Sequence, residues 1–180
     1  MALTVQAQDA APPAVPASAW THKLVGAVTA NQVALKDWSQ GGDNSFSWGY
    51  SLNGTSERVA GAMSWQTGYK FAFGQNKLGD QAIRKVVDKL EVETVLKWTS
   101  GGLLDPYLKA TMKTQAFRGY QYSDALRTAV AGFFDPAYLT QSAGVGYQPT
   151  QQVTTRLGLA LRAIVTRDFN AYADDKGTTK

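Results

Sequence analysis

Asn44-Ser-Phe-Ser-Trp-Gly-Tyr-Ser-Leu-Asn53 and Met63-Ser-Trp-Gln-Thr-Gly-Tyr-Lys-Phe-Ala-Phe-Gly74 decide the fold class. In the first, Phe46, Trp48, Tyr50 and Leu52 alternate with Ser45, Ser47, Gly49, Ser51 and Asn53. In the second, Met63, Trp65, Thr67, Tyr69, Phe71 and Phe73 alternate with Ser64, Gln66, Gly68, Lys70, Ala72 and Gly74. A period of two places alternate side chains on opposite faces of a strand and gives a helix no coherent face. One face is large and aromatic, and the other is small, polar or charged. With a break at Glu57–Gly61, the pair reads as a β-hairpin.

The same period extends along the chain. A first strand is expected around His22–Val33, a fourth about Asp88–Trp98 and a fifth about Pro106–Phe117. A sixth is expected about Tyr138–Gln148 and a seventh about Val153–Arg167. The connections Leu35–Asp43, Gln75–Val87 and Arg118–Ala137 are long; those near Arg58–Gly61, Thr99–Asp105 and Pro149–Gln152 are short. The third long connection has room for a short helix around Asp124–Ala131. Long and short loops that alternate on strands of roughly 9–11 residues are the pattern of an antiparallel, up-and-down transmembrane β-barrel.

A soluble β-sandwich or lipocalin-like barrel would share the alternation and turn the apolar face inward. Three features favour the membrane. The small face carries Lys70, Lys89, Glu91, Glu93, Lys109, Lys113, Arg156 and Arg162, the content of a narrow polar lumen. Phe46, Trp48, Phe71, Phe73, Trp98, Tyr107 and Tyr147 gather towards strand ends, where interface girdles stand. Val5-Gln6-Ala7 before Gln8-Asp9 has the small-residue end of a signal peptide, although Met1–Val5 is too short for its apolar region. The expected organisation is a signal-peptide remnant and Pro/Ala-rich linker over 1–19, a barrel domain over 20–170, and a polar tail or truncated outer loop over 171–180. Seven strands leave an edge open, so the chain reads as the N-terminal part of a larger barrel.

Composition excludes more than it assigns. The 180 residues include no cysteine, which removes thiol catalysis and cysteine metal sites. No run reaches the roughly 18 apolar residues of a membrane helix. The net charge of +4 is dispersed, with no Lys/Arg cluster beside an aromatic platform, so no nucleic-acid partner is expected. His22 is the single histidine and has no acidic neighbour in sequence, which leaves little for a general base. Asp43, Asp174 and Asp175 show no metal-ligand spacing. No catalytic residue, metal or cofactor is expected. Trp38, Gly41, Gly42, Asp43 and Asn44 form the most distinctive local motif. It suits a compact loop between the first two strands, or an outer loop gripping a ligand. Glu91 and Glu93 are expected to face Lys109 and Lys113, mixed signs that neutralise one another.

Asn31–Ser45, with its Lys36-Asp37-Trp38-Ser39-Gln40-Gly41-Gly42-Asp43 centre, resembles the opening signature of domain of unknown function 3078. Asp88–Glu91, Lys113–Tyr120, Asp135–Leu139 and Gly146–Pro149 resemble its later blocks in the same order, over about Trp20–Asp175. The resemblance implies an outer-membrane barrel of Bacteroidetes/Chlorobi-type bacteria and a domain longer than this chain. It implies no activity, ligand or catalytic residue. The functional expectation is a non-enzymatic protein of the Gram-negative outer membrane, a porin-like passive pore or a structural envelope protein. Its partners would be outer-membrane lipid and small solutes. A surface ligand-binding or adhesion protein working through the long loops, or a soluble lipocalin-like binder, stands as the alternative.

Overall fold

The computed structural model describes residues 19–35, 42–123, 126–150 and 152–169. Its strands are β1 (Trp20–Val33), β2 (Ser45–Ala60), β3 (Met63–Leu78), β4 (Arg84–Trp98), β5 (Leu104–Thr114), β6 (Gly119–Ser123), β7 (Leu126–Ala131), β8 (Ala137–Thr150) and β9 (Val153–Val165). Seven of them form one antiparallel sheet in the order β1-β2-β3-β4-β5-β8-β9, and β6 and β7 pair in a small second sheet. The described residues contain no helix, and no helix is long and apolar enough to cross a membrane. The large sheet is open, with β1 and β9 at its edges.

The seven expected strands are the seven of the large sheet. The helix expected around Asp124–Ala131 is not formed, because Leu126–Ala131 is β7 and pairs with Gly119–Ser123. Residues 124 and 125 lie outside the described set. The break placed at Glu57–Gly61 narrows to Gly61 and Ala62, and Glu57 and Arg58 stay in the ladder opposite Gln66 and Trp65. Gly61 takes the left-handed conformation (φ 57°) that a side chain would resist. β4 begins earlier than its alternation suggests. Gly74 pairs with Val87 but Gln75 with Lys85, so Val86 is an extra residue that breaks the period of two.

The register sorts the side chains by face. One row across the sheet reads Trp20, Arg58, Trp65, Leu96, Leu108, Ala143 and Leu159. The row two residues further along β1 reads His22, Ser56, Thr67, Thr94, Ala110, Gln141 and Leu161; the next reads Leu24, Gly54, Tyr69, Val92, Met112, Leu139 and Ala163. Between these rows, on the opposite face, lie Lys23, Thr55, Gly68, Glu93, Thr111, Thr140 and Arg162.

Nothing among the described residues covers the apolar face. Val28 is 82% exposed and Leu159 85%, and among the described residues the buried apolar side chains are those of Ala131, Pro136 and Ala137. A sheet of this size normally hides one face against another layer. This one displays it.

Candidate functional site: the charged face

The charged face is built by β3, β4, β5 and β9. Lys70, Glu91 and Lys113 are direct register partners on three adjacent strands. Lys89 precedes Glu91 by two residues, so it shares the face. Glu91 is 7% exposed. Its carboxylate meets the Lys89 ammonium at 2.8 Å, Lys70 at 3.8 Å and Lys113 at 3.9 Å. Further along, Lys109 pairs with Glu93 at 2.9 Å and Lys97 with Asp105 at 2.8 Å. Arg162 stands 5.2 Å from the Tyr138 ring and Arg156 5.9 Å from the Tyr107 ring. All eight charged residues singled out in the sequence therefore occupy one face. Lys97 joins them, in step with Lys89 and Glu91 along β4 as the alternation of that strand implies; Asp105, its partner from β5, and Arg84, opposite Asn76, were not singled out in the sequence.

The signs do not simply cancel. Three ammonium groups share Glu91, whereas the other pairs on this face are one to one.

Two glycine pairs lie on this face. At Gly144 a Cβ would fall 2.2 Å from the Leu157 carbonyl oxygen, and at Gly158 it would fall 2.6 Å from both the Ala143 carbonyl and the Tyr107 hydroxyl. At Gly49 it would meet the Phe73 carbonyl at 2.9 Å. Backbones this close leave no room for a methyl group, so the strands lean together on the charged side, as on the inside of a bend.

The aromatic set divides by position. Trp48, Tyr50, Phe73 and Phe117 pack together towards the long-loop end, with centroids 4.7–6.2 Å apart, and Phe46 lies beyond them on β2. Trp98 ends β4 and Tyr147 pairs with Leu104, both at the short-turn end. Trp20 and Trp65, which the sequence did not assign to the girdle, join that end at 5.5 Å, with Arg58 6.0 Å from Trp20. Phe71 differs from the strand-end expectation, because it lies mid-strand between Leu52 and Leu90. Tyr107 differs too. It pairs with Lys97 and Gly144 and so stands on the charged face, over glycines that give its ring space.

Of the loop motif, Trp38 and Gly41 lie outside the described residues. Gly42 takes φ 126°, which favours glycine. Asn44 accepts the Leu35 N–H on its side chain at 2.6 Å and the Gly79 N–H on its backbone at 2.7 Å. It thus ties two long loops together. Asp174 and Asp175 also lie outside the described residues.

His22 sits on the apolar face. Its Nδ1 is 2.7 Å from the buried Ser56 hydroxyl, which also accepts the Tyr69 O–H at 2.8 Å. Thr67 and Thr94 hydroxyls meet at 3.0 Å, and Trp65 donates to Thr94 at 2.8 Å. The hydroxyls of Ser56, Thr67 and Thr94 thus find partners on the same face.

The model of the family described as "Protein of unknown function (DUF3078)" matches residues 30–120. The chain belongs to the DUF3078 family. The match spans β1 from Ala30 to the start of β6, including the Glu91 cluster and the loop motif. It stops short of the Asp135–Leu139 and Gly146–Pro149 blocks. No curated protein and no solved structure matches the chain.

Proposed function

We propose that this DUF3078 chain forms one wall of an outer-membrane β-barrel, with the apolar face towards lipid and the charged face towards a lumen. The observation that carries the reading is the stagger of the sheet. Trp20, the first residue of β1, is in register with Leu159, six residues beyond the first residue of β9. At the other end, Ile164 is in register with Val25; β9 ends one residue later and β1 eight residues later. Both ends step the same way, by about one residue per strand. With a rise of about 3.3 Å and a strand spacing of about 4.8 Å, level ends need a tilt of about 35°. That is the tilt of a barrel wall.

The dimensions agree. Arg58, beside Trp20 and Trp65, is ten residues from Trp48 on β2. At that rise and tilt the two aromatic levels stand about 27 Å apart, close to the roughly 25 Å apolar band of such barrels. The exposed leucines of β1 and β9 and the mutually bonded Ser, Thr and Tyr hydroxyls suit a surface that meets hydrocarbon. The function that follows is passive: a pore for small solutes, or a structural envelope protein where the lumen is filled.

Membrane fractionation of the full-length protein, with gel mobility before and after boiling, tests the reading. Recovery in the outer membrane as a heat-modifiable β-rich species is expected. A periplasmic protein that stays soluble without detergent would overturn it.

A further inference from the structure

Glu91 is where the charged face fails to balance. One carboxylate neutralises one ammonium group, yet Lys70, Lys89 and Lys113 all come within 4 Å of it, an excess of two positive charges. The geometry is built in. The register sets Lys70, Glu91 and Lys113 side by side on β3, β4 and β5, and Lys89 reaches back from the same strand. Glu91 is inside the cluster with 8% of its side chain accessible, while the three lysine side chains are 50–59% accessible. A solute approaching this face meets ammonium groups first. Beside the cluster a hollow of about 490 Å³ opens beneath the β6–β7 hairpin, with Lys89, Lys113, Tyr120 and Tyr138 in its wall. Arg162, over Tyr138, adds another cation from β9.

We propose that the Lys70–Lys89–Lys113 cluster binds a small multivalent oxyanion, of the phosphate or dicarboxylate class. Each ammonium group brings three donors and no acceptor, so the cluster offers charge-assisted hydrogen bonds from three directions. Glu91 holds the lysines together against their mutual repulsion and leaves them undercompensated. In a lumen walled by low-dielectric protein, such a cluster focuses its field on passing anions and makes the pore anion-selective. The lumenal setting rests on the barrel reading; the excess charge does not.

The test is calorimetric titration of the full-length protein, in non-ionic detergent at low salt, with inorganic phosphate and separately with succinate. Saturable binding of at least one is expected, and the tighter of the two identifies the solute class. The Lys70→Gln, Lys113→Gln double variant should lose at least tenfold in affinity. Glu91→Gln, which raises the excess charge, should gain at least threefold. The idea is overturned if neither anion saturates the wild type, or if the double variant binds as tightly. Should Glu91→Gln fail to fold, the double variant decides alone. Should the protein prove water-soluble, the barrel reading fails, and the same titration without detergent still judges the lysine cluster.

Discussion

Two Lys–Asp ion pairs in this chain differ in what they hold. Asp88 and Lys85 are nearly enclosed, with side-chain accessibilities of 3% and 17%. The Asp88 carboxylate also accepts the backbone N–H groups of Ala116 and Phe117, each at 2.9 Å, and Lys85 donates to the Phe117 carbonyl at 2.8 Å. Asp88 therefore fastens the chain leaving β5 onto β4. Asp88→Asn places an amide N–H against backbone donors and strands Lys85, and it should cost about 3 kcal/mol. Lys97 and Asp105 are more open, and Lys97→Gln should cost less than about 1 kcal/mol. Urea unfolding midpoints in detergent compare the two variants directly. The charged face was legible as a set of residues because alternation assigns faces. Its imbalance at Glu91 was not, since it depends on which strands are neighbours and on a register set by distant pairing. The fastening role of Asp88 was hidden for another reason: its partners are backbone groups, which leave no mark on the sequence.

At the scale of elements, the long strands were readable because each sustains a period of two over many residues. Asp124–Ala131 was misread because Ala, Leu and Arg favour a helix locally, whereas Leu126–Ala131 pairs with a partner strand that local propensity does not see. That hairpin makes its own two-stranded sheet. Among the described residues it touches the large sheet through few polar groups, including Arg84, 4.6 Å from the Tyr122 ring. Replacing residues 120–130 with a short Gly/Ser linker should therefore leave the seven-stranded sheet intact and cost about 1–2 kcal/mol, the scale of a partly desolvated cation–π contact. The readout is far-UV circular dichroism with heat-modifiable mobility. Loss of the folded band would mean that the hairpin is needed to build the sheet.

At the scale of the molecule, the arrangement is an open sheet with one largely apolar and one charged face, and the proposed barrel gives the two faces different solvents. β1 and β9 run in the same direction, because six antiparallel steps separate them. Two such edges cannot close on each other without a parallel seam, so antiparallel closure takes an odd number of further strands, however supplied. The two-solvent reading can be challenged at adjacent positions on one strand. Met112 lies in the apolar row between Val92 and Leu139; Thr111, beside it in sequence, lies in the charged row between Glu93 and Thr140. On the barrel reading proposed above, Met112→Lys would set an ammonium group against hydrocarbon and should cost about 2–4 kcal/mol near the middle of the bilayer. On the same reading, Thr111→Lys would add a cation to a wetted face already holding Lys109 and Lys113, and it should change stability by less than about 1 kcal/mol. Folding yield into lipid vesicles and urea midpoints read both. Equal, small effects would mean that water reaches both faces. A large cost at Thr111 with none at Met112 would reverse the assignment of the faces and move the lumen to the other side of the sheet.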